Sequence, residues 1–410
     1  MKILLATSKG IPAGGGIASY NQELVRLLGK DNDIYLLTDA DENNVEGYKR
    51  TYRTFGNKNS DFEYCKVLVD NINSANYDCI INSNSSFIPV LAPFLKAHII
   101  SVSHFVNGRH AINAGYNAKY QSCVIALSNY GKDFIINKFG IDDREKVRVV
   151  YNFVEKGANH VNSIKFSQRP LRIVYPGGTS IEKSVDVIQN LLYMLLRSSL
   201  QFEFYWLGGT TLPSAKFSIF GLHDISDLFH DDNRLKITGK IPRTEAMRFM
   251  ESANIFLLPS RGEGCPMTLL EAMRGGCIPI VSDAKHGSRE IIEDSRCGFI
   301  CRQNSADELF KTISLIINEH AKYTDIYDKA IEYLNTALSQ ELWNERMLKI
   351  LEDSQHHRKE CITMTQAAFT KSSNQFLRYY KIDRFKQIIR SAWYRIKIDL
   401  SYLNSQILQK

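Results

Sequence analysis

Residues 255–282 read IFLLPSRGEGCPMTLLEAMRGGCIPIVS. The run Ile255–Pro259 is continuously apolar, as is Ile278–Ser282. Both have the length and branched character of strands buried on two faces, the pattern of a parallel sheet. Between them a glycine-bearing loop leads into Met267–Gly276. There Leu269, Leu270 and Met273 recur at helical spacing, and Pro266 suits a first helical turn, where its missing N–H costs nothing. Strand, loop, helix, strand is one crossover unit, and such units build doubly wound α/β domains.

The same reading extends along the rest of the chain. Lys2–Thr7 predicts a strand, followed by glycines and a helix over Ile17–Gly29. Further strands are predicted at Ile34–Thr38, Tyr77–Ser83, His98–His104, Val124–Ser128 and Val147–Phe153. The polar stretch Gly157–Arg169 reads as a linker. The alternation restarts with strands at Arg172–Pro176, Phe202–Leu207 and Leu235–Thr238, and helices at Ala306–His320, Tyr327–Leu338 and Gln340–Glu352 complete the second series. Two series imply two domains, taken as 1–165 and 166–355, followed by a tail over 356–410.

Composition fits this reading. The 410 residues are 44% hydrophobic and 23% charged, which suits globular domains and excludes wholesale disorder. The eight cysteines are scattered singly with no C-x-x-C pair, so free thiols in a reducing compartment are expected rather than a zinc site. No run of about 18 apolar residues occurs, so no membrane-spanning helix is expected. The net charge is +7, and residues 356–410 hold eleven Lys/Arg against three Asp/Glu, which leaves the body near neutral.

Ligands of doubly wound sheets lie beyond the carboxyl ends of the strands, so residues just after strands are the ones to weigh. Gly14-Gly15-Gly16 follows the first strand and precedes a helix, where backbone amides can approach an anion; the dinucleotide fingerprint is absent, and a plain turn fits the glycines equally well. In Pro259–Met267, the amides of Gly264, Cys265 and Met267 could hold phosphate, while Glu263 and Glu271 could accept hydrogen bonds from sugar hydroxyls. The pattern alone is equally that of two solvated glutamates around a helix cap.

The stretch resembles the E-x7-E motif of retaining family 4 glycosyltransferases of the GT-B fold. Glu263 and Glu271 have that spacing. Pro259-Ser260, Leu270–Met273, Gly276, Pro279–Val281, Ser282-Asp283, Gly287, Glu290–Ile292 and Gly298-Phe299 supply its surroundings. Gly14–Gly16 with Tyr20 and Leu24, His104, Ser128 and Asn152 extend the resemblance over roughly residues 1–350. It implies two Rossmann-like domains facing across a cleft. It also implies transfer of a hexose or N-acetylhexosamine, with retention, from a nucleotide diphosphate sugar to a growing glycan. The acceptor would be a lipid-linked glycan, and the setting bacterial surface polysaccharide biosynthesis, that of capsule or lipopolysaccharide, on the cytoplasmic side.

By the same resemblance, His104, Lys183 and Glu263 are the catalytic candidates. Gly15, Gly16, Gly178, Lys183, Glu263, Gly264, Cys265, Pro266, Met267 and Glu271 bind the donor, with Glu271 on the ribose hydroxyls. The nucleotide sugar is a co-substrate, and neither a metal nor a resident cofactor is expected. One position departs from the family: where an arginine often faces the donor diphosphate this sequence has Gly178, which leaves Lys183 and, as a candidate, Arg261 to supply positive charge. A nucleotide-sugar epimerase and a catalytically weak membrane-associated binding protein are the rival readings.

In the tail, Ile382, Phe385, Ile389, Ala392, Trp393, Ile396, Leu400, Leu403 and Ile407 fall on one helical stripe. Lys386, Arg390 and Lys397 lie along one side of it, Arg384 and Arg395 along the other, and Tyr379, Tyr380, Tyr394 and Tyr402 add rings. Over 376–410 this resembles a helix lying in the plane of an anionic membrane. Packing on the body and pairing in a homodimer are the alternatives. No nucleic-acid module accompanies the basic residues, so no nucleic acid is expected. Residues 356–374 read as a loose polar segment.

Overall fold

The computed structural model describes all residues except 9–14, 40–47, 55–57, 156–168, 213–217, 230–231, 324, 357–359 and 408–410. The predicted linker lies almost wholly outside the described residues. Two compact units emerge, one of Met1–Asn152, Glu263–Cys265 and Gln340–Arg384, the other of Phe153–Gly262, Pro266–Ser339 and Phe385–Lys410.

The first unit alternates β1 (Lys2–Thr7), α1 (Gly16–Leu28), β2 (Asp33–Thr38), β3 (Arg50–Arg53), α2 (Phe62–Ser74), β4 (Cys79–Ser83), α3 (Phe87–Leu91), β5 (His98–Ser103), α4 (Gly108–Gly115), β6 (Cys123–Ala126), α5 (Asn129–Phe139) and β7 (Val147–Val149). Its seven strands are parallel in the order β3-β2-β1-β4-β5-β6-β7. Ile3, Leu4, Leu5 and Ala6 on β1 are all buried, so the continuous apolar run marks a central strand covered on both faces. Ile3, Leu4 and Leu5 each contribute ~1.5–3 kcal/mol by withdrawal from water.

The second unit continues with β8 (Leu171–Tyr175), α6 (Val185–Leu196), β9 (Phe202–Leu207), β10 (Leu235–Gly239), α7 (Arg243–Ser252), β11 (Ile255–Leu258), α8 (Met267–Arg274), β12 (Ile278–Ser282), α9 (Gly287–Ser295), β13 (Phe299–Cys301), α10 (Ala306–Glu319) and α11 (Ile326–Thr336). Its six parallel strands run β10-β9-β8-β11-β12-β13. In both sheets the strand order reverses direction between the first strand and the one three further on. These are the pairs β1/β4 and β8/β11, where consecutive loops part and leave a crevice. The quoted stretch is β11, α8 and β12, with Leu269, Leu270 and Met273 buried as its spacing implies.

Two helices follow, α12 (Gln340–Gln355) and α13 (Gln366–Ile407). Rather than completing the second unit, α12 joins the first: Trp343 meets Tyr20 edge-on at 5.7 Å, and Arg148 pairs with Asp353 at 2.5 Å. The segment expected to be loose up to residue 374 is helical from Gln366, because Phe369 is buried in the first unit's core and the Ser372 hydroxyl donates to the Val90 carbonyl at 2.9 Å. Further along, α13 belongs to the second unit from Phe385 onward. Between β5 and β6, where no element is predicted, the chain forms α4, which Gly108 opens at φ +65°.

Candidate functional site

In the first unit, β1 and β4 end beside each other. The Asn84 amide donates to the Ser8 hydroxyl at 3.1 Å there, and α1 begins at Gly16 with Gly15 as its N-cap at φ +120°. A Cβ on Gly15 or Gly16 would meet nothing within 4 Å, so only the φ of Gly15 calls for glycine. Gly14 lies outside the described residues. His104 follows β5. Its Nε2 is 2.8 Å from the Ser83 hydroxyl at the end of β4, and its ring lies edge-on to Tyr20 at 4.9 Å. Burial pushes the Tyr20 phenol pKa upward, so this neighbour stays neutral. Two contacts from different elements thus fix the imidazole.

Glu263, Gly264 and Cys265 belong to the same unit and are buried. The Asn152 amide donates to the Cys265 carbonyl at 2.6 Å. A Cβ on Gly264 would lie 2.5 Å from the His104 carbonyl oxygen, so only glycine permits this approach. The structure therefore sets Gly264, between Glu263 and Cys265, against the backbone of His104. Ser128 acts as a helix cap, its hydroxyl accepting the Gly131 N–H at 3.1 Å.

In the second unit the crevice lies between the loops after β8 and β11. Gly177 needs glycine because a Cβ would sit 2.3 Å from the Tyr175 ring. Gly178 has φ +53°, and a Cβ there would meet the oxygen and nitrogen of Gly209 at 3.1 and 3.2 Å. The glycine is thus suited to the backbone: the turn after β8 lies against the Gly208-Gly209 turn after β9, where a side chain would be both crowded and strained. The loop then carries Lys183, whose carbonyl accepts from Tyr175 Oη at 2.9 Å. It ends at Ser184, which lies in the left-handed region at φ +63°, its hydroxyl donating to the Pro259 carbonyl at 2.6 Å.

Arg261 does not serve as a spare cation for phosphate. Its Nη2 makes bonds of 2.7 and 2.9 Å to both Asp186 carboxylate oxygens, Nη1 donates to the Ile181 carbonyl at 2.6 Å, and Nε donates to Asn304 at 2.9 Å. The Tyr394 ring of α13 lies 4.0 Å from its guanidinium carbon. Arg261 is a clamp that fixes the Lys183 loop, and desolvation of the pair is offset by bidentate geometry. A different cation, the exposed Lys240 after β10, brings its Cε to 3.9 Å from where a Cβ on Gly209 would stand.

Pro266 is the N-cap of α8 rather than its first residue, and Met267 opens the helix. Glu271 sits one turn on, its side chain 3% exposed, gripped by Arg243 through Nε at 3.0 Å and through Nη2. Sequence reasoning missed Arg243. It also missed His286, fully buried, with Nε2 3.1 Å from both Ser282 Oγ and the Ser260 carbonyl, where it braces the loop after β11. Serine at a strand end with histidine four residues on was the available signal. Asp232, next to Asp231 in sequence, pairs with Arg234 at 2.7 Å, and Asp231 lies outside the described residues. Among the described residues no cluster of three or more metal-ligating side chains is gathered.

Comparison with known proteins fits this geometry. Residues 162–333 match the family described as Glycosyl transferases group 1. An uncharacterized glycosyltransferase of Haemophilus influenzae is 39% identical over 92 residues, 22% of this chain and 26% of that protein. The amylovoran biosynthesis glycosyltransferase AmsK of Erwinia amylovora is 25% identical over 214 residues, 51% of each chain. The chain thus spans about half or less of the length of these two relatives. Among solved structures, Anabaena HepE in complex with UDP superposes with a TM-score of 0.69 at 17% identity, covering 86% of this chain and 100% of that one. The architecture is the two-domain GT-B fold.

Proposed function

We propose that this protein is a retaining glycosyltransferase. It moves a hexose or N-acetylhexosamine from a nucleotide diphosphate sugar to a growing lipid-linked glycan, in surface polysaccharide assembly on the cytoplasmic side of the membrane. The observation that carries the reading is the crevice of the second unit. Lys183 and the buried Glu271 flank the point where loops part, inside the segment that matches group 1 glycosyl transferases.

Departure of a nucleoside diphosphate builds negative charge, so the leaving group needs positive charge fixed in advance. Lys183 supplies one cation on a loop held by Arg261, Ser184 and Tyr175. Lys240 is the second, in place of the arginine that Gly178 cannot be. The α8 N-terminus at Met267 adds amide dipoles. Glu271 takes the ribose hydroxyls once they displace Arg243. His104, oriented by Ser83 and Tyr20, and Glu263 address the donor sugar. The co-substrate brings the leaving group, and no resident cofactor or metal enters the reaction.

Thermal unfolding with a panel of nucleotides tests this reading, starting with UDP because HepE is seen with it. A ligand at a hundredfold its Kd stabilises by about 2.7 kcal/mol. A shift with one nucleotide class, absent in Glu271→Ala, is expected; no shift with any nucleotide sinks the proposal. Donor turnover that requires acceptor then separates a transferase from an epimerase, which needs none, and from a binding protein, which shows no turnover.

A further inference from the structure

The second half of α13 has two faces of opposite fate. One is seated on the second unit. Tyr394 covers Arg261, Ile398 is fully buried with its carbonyl accepting from Gln189 at 3.1 Å, and Arg395 is buried, paired with Asp399 at 3.1 Å and donating to the Leu222 carbonyl at 2.9 Å. Tyr394 and Arg395, expected on the membrane side, therefore face the protein. Tyr380 likewise is directed inward, donating to Asn113.

The other face holds the predicted stripe and leaves it bare. Phe385 is 64% exposed, Ile389 53%, Trp393 50%, Ile396 56%, Leu400 52% and Ile407 61%. At 1.5 Å per residue the stripe runs about 33 Å. A buried opposite face fixes the rotation of the helix, so this exposure is not the result of a helix free to turn. Lys386, Arg390 and Lys397 flank one edge, and the Lys397 ammonium lies 3.9 Å from the Trp393 ring centroid. Among the described residues from Phe385 onward the sole carboxylate is Asp399, buried in its pair with Arg395.

We infer that this face docks the protein on an anionic lipid bilayer, with α13 lying in the plane of the headgroups. Large apolar side chains enter the acyl boundary, the tryptophan sits at the interface, and the cationic edge meets acidic headgroups. Pairing with a second copy of the helix answers the apolar stripe but not the charge. A two-fold antiparallel pairing sets the Arg390 and Lys397 edge against itself, and a parallel one offers it no free carboxylate. The docking stands or falls separately from sugar transfer, since it uses none of the donor-site residues.

The test is co-sedimentation of the full chain with phosphatidylcholine vesicles, with and without phosphatidylglycerol, read alongside tryptophan emission. Of the three tryptophans Trp206 and Trp343 are buried, so a spectral change reports Trp393. Binding is expected to require phosphatidylglycerol, to shift emission to the blue, and to fall about fivefold per charge removed in Lys386→Gln and Lys397→Gln. Ile389→Glu with Ile396→Glu should abolish it without altering the melting temperature or the nucleotide-induced shift, and Trp393→Phe should remove the spectral change while binding persists. Wild-type protein that stays in the supernatant with anionic vesicles overturns the inference. So does a solution dimer that Ile389→Glu with Ile396→Glu dissociates while vesicle binding is unaffected.

Discussion

An arginine at Gly178 would bring the loop after β8 into line with the glycosyltransferase pattern it resembles, and the structure forecasts that the change fails. Gly178 sits at φ +53°, where an L side chain costs ~1–2 kcal/mol. A Cβ would also meet the Gly209 oxygen and nitrogen at 3.1 and 3.2 Å, and these are backbone atoms that cannot swing aside. Crowding of that kind adds about 1 kcal/mol or more. The total is ~2–3 kcal/mol, which for a domain of this size lowers Tm by about 4–12 °C. Because the penalty arises at Cβ, Gly178→Ala should fall nearly as far as Gly178→Arg. The assay is thermal unfolding of both variants and wild type, each with and without UDP. If Gly178→Arg keeps the wild-type Tm and tightens nucleotide binding, the steric reasoning is wrong and the turn is softer than the Gly178–Gly209 contact implies.

Other expectations follow from the same contacts. Arg243→Ala strands the buried Glu271 carboxylate and should destabilise by ~1–2 kcal/mol, discounted because Arg243 is half exposed; the Arg243→Ala, Glu271→Gln cycle should recover most of this as coupling, and additivity would argue against the pair. Arg234 donates to Asp232 and holds its carboxyl below the ordinary range. Its stabilisation is therefore present above the unfolded pKa and lost as pH falls through the folded one, so Asp232→Asn should be less stable than wild type at neutral pH, with the gap closing as pH falls below about 4. At neutral pH iodoacetamide should label Cys361 first, since it alone of the eight thiols is exposed, while burial pushes Cys123 up to about 12. Mass spectrometry showing early alkylation of Cys123 would contradict its burial.

The α/β alternation was legible because strands such as β1 and β12 are buried on both faces and hence apolar throughout. β3 was not: Arg50–Arg53 is an edge strand, exposed at both ends and half-buried between, with no apolar run to notice. α4 escaped because glycines bound it at both ends. In the site, motif residues could be named in sequence, but what surrounds them could not. Nothing in the spacing couples Arg243 to Glu271, 28 positions away, or turns Arg261 from a phosphate cation into a clamp on Asp186. The tail was half legible. Its stripe is where the periodicity puts it, yet periodicity cannot reveal that Phe369 and Phe376 fill the first unit's core while Tyr394 and Ile398 fill the second's.

Because Tyr394 lies against the Arg261 guanidinium, the last stretch of chain is a part of the second unit and not an appendage to it. A shortened protein made for convenience, ending before Phe385, would strip the cover from a charged pair that also steadies the Lys183 loop. Its loss of activity would say nothing about membranes. Point changes on the outer side of the helix are the tools that keep location and chemistry apart.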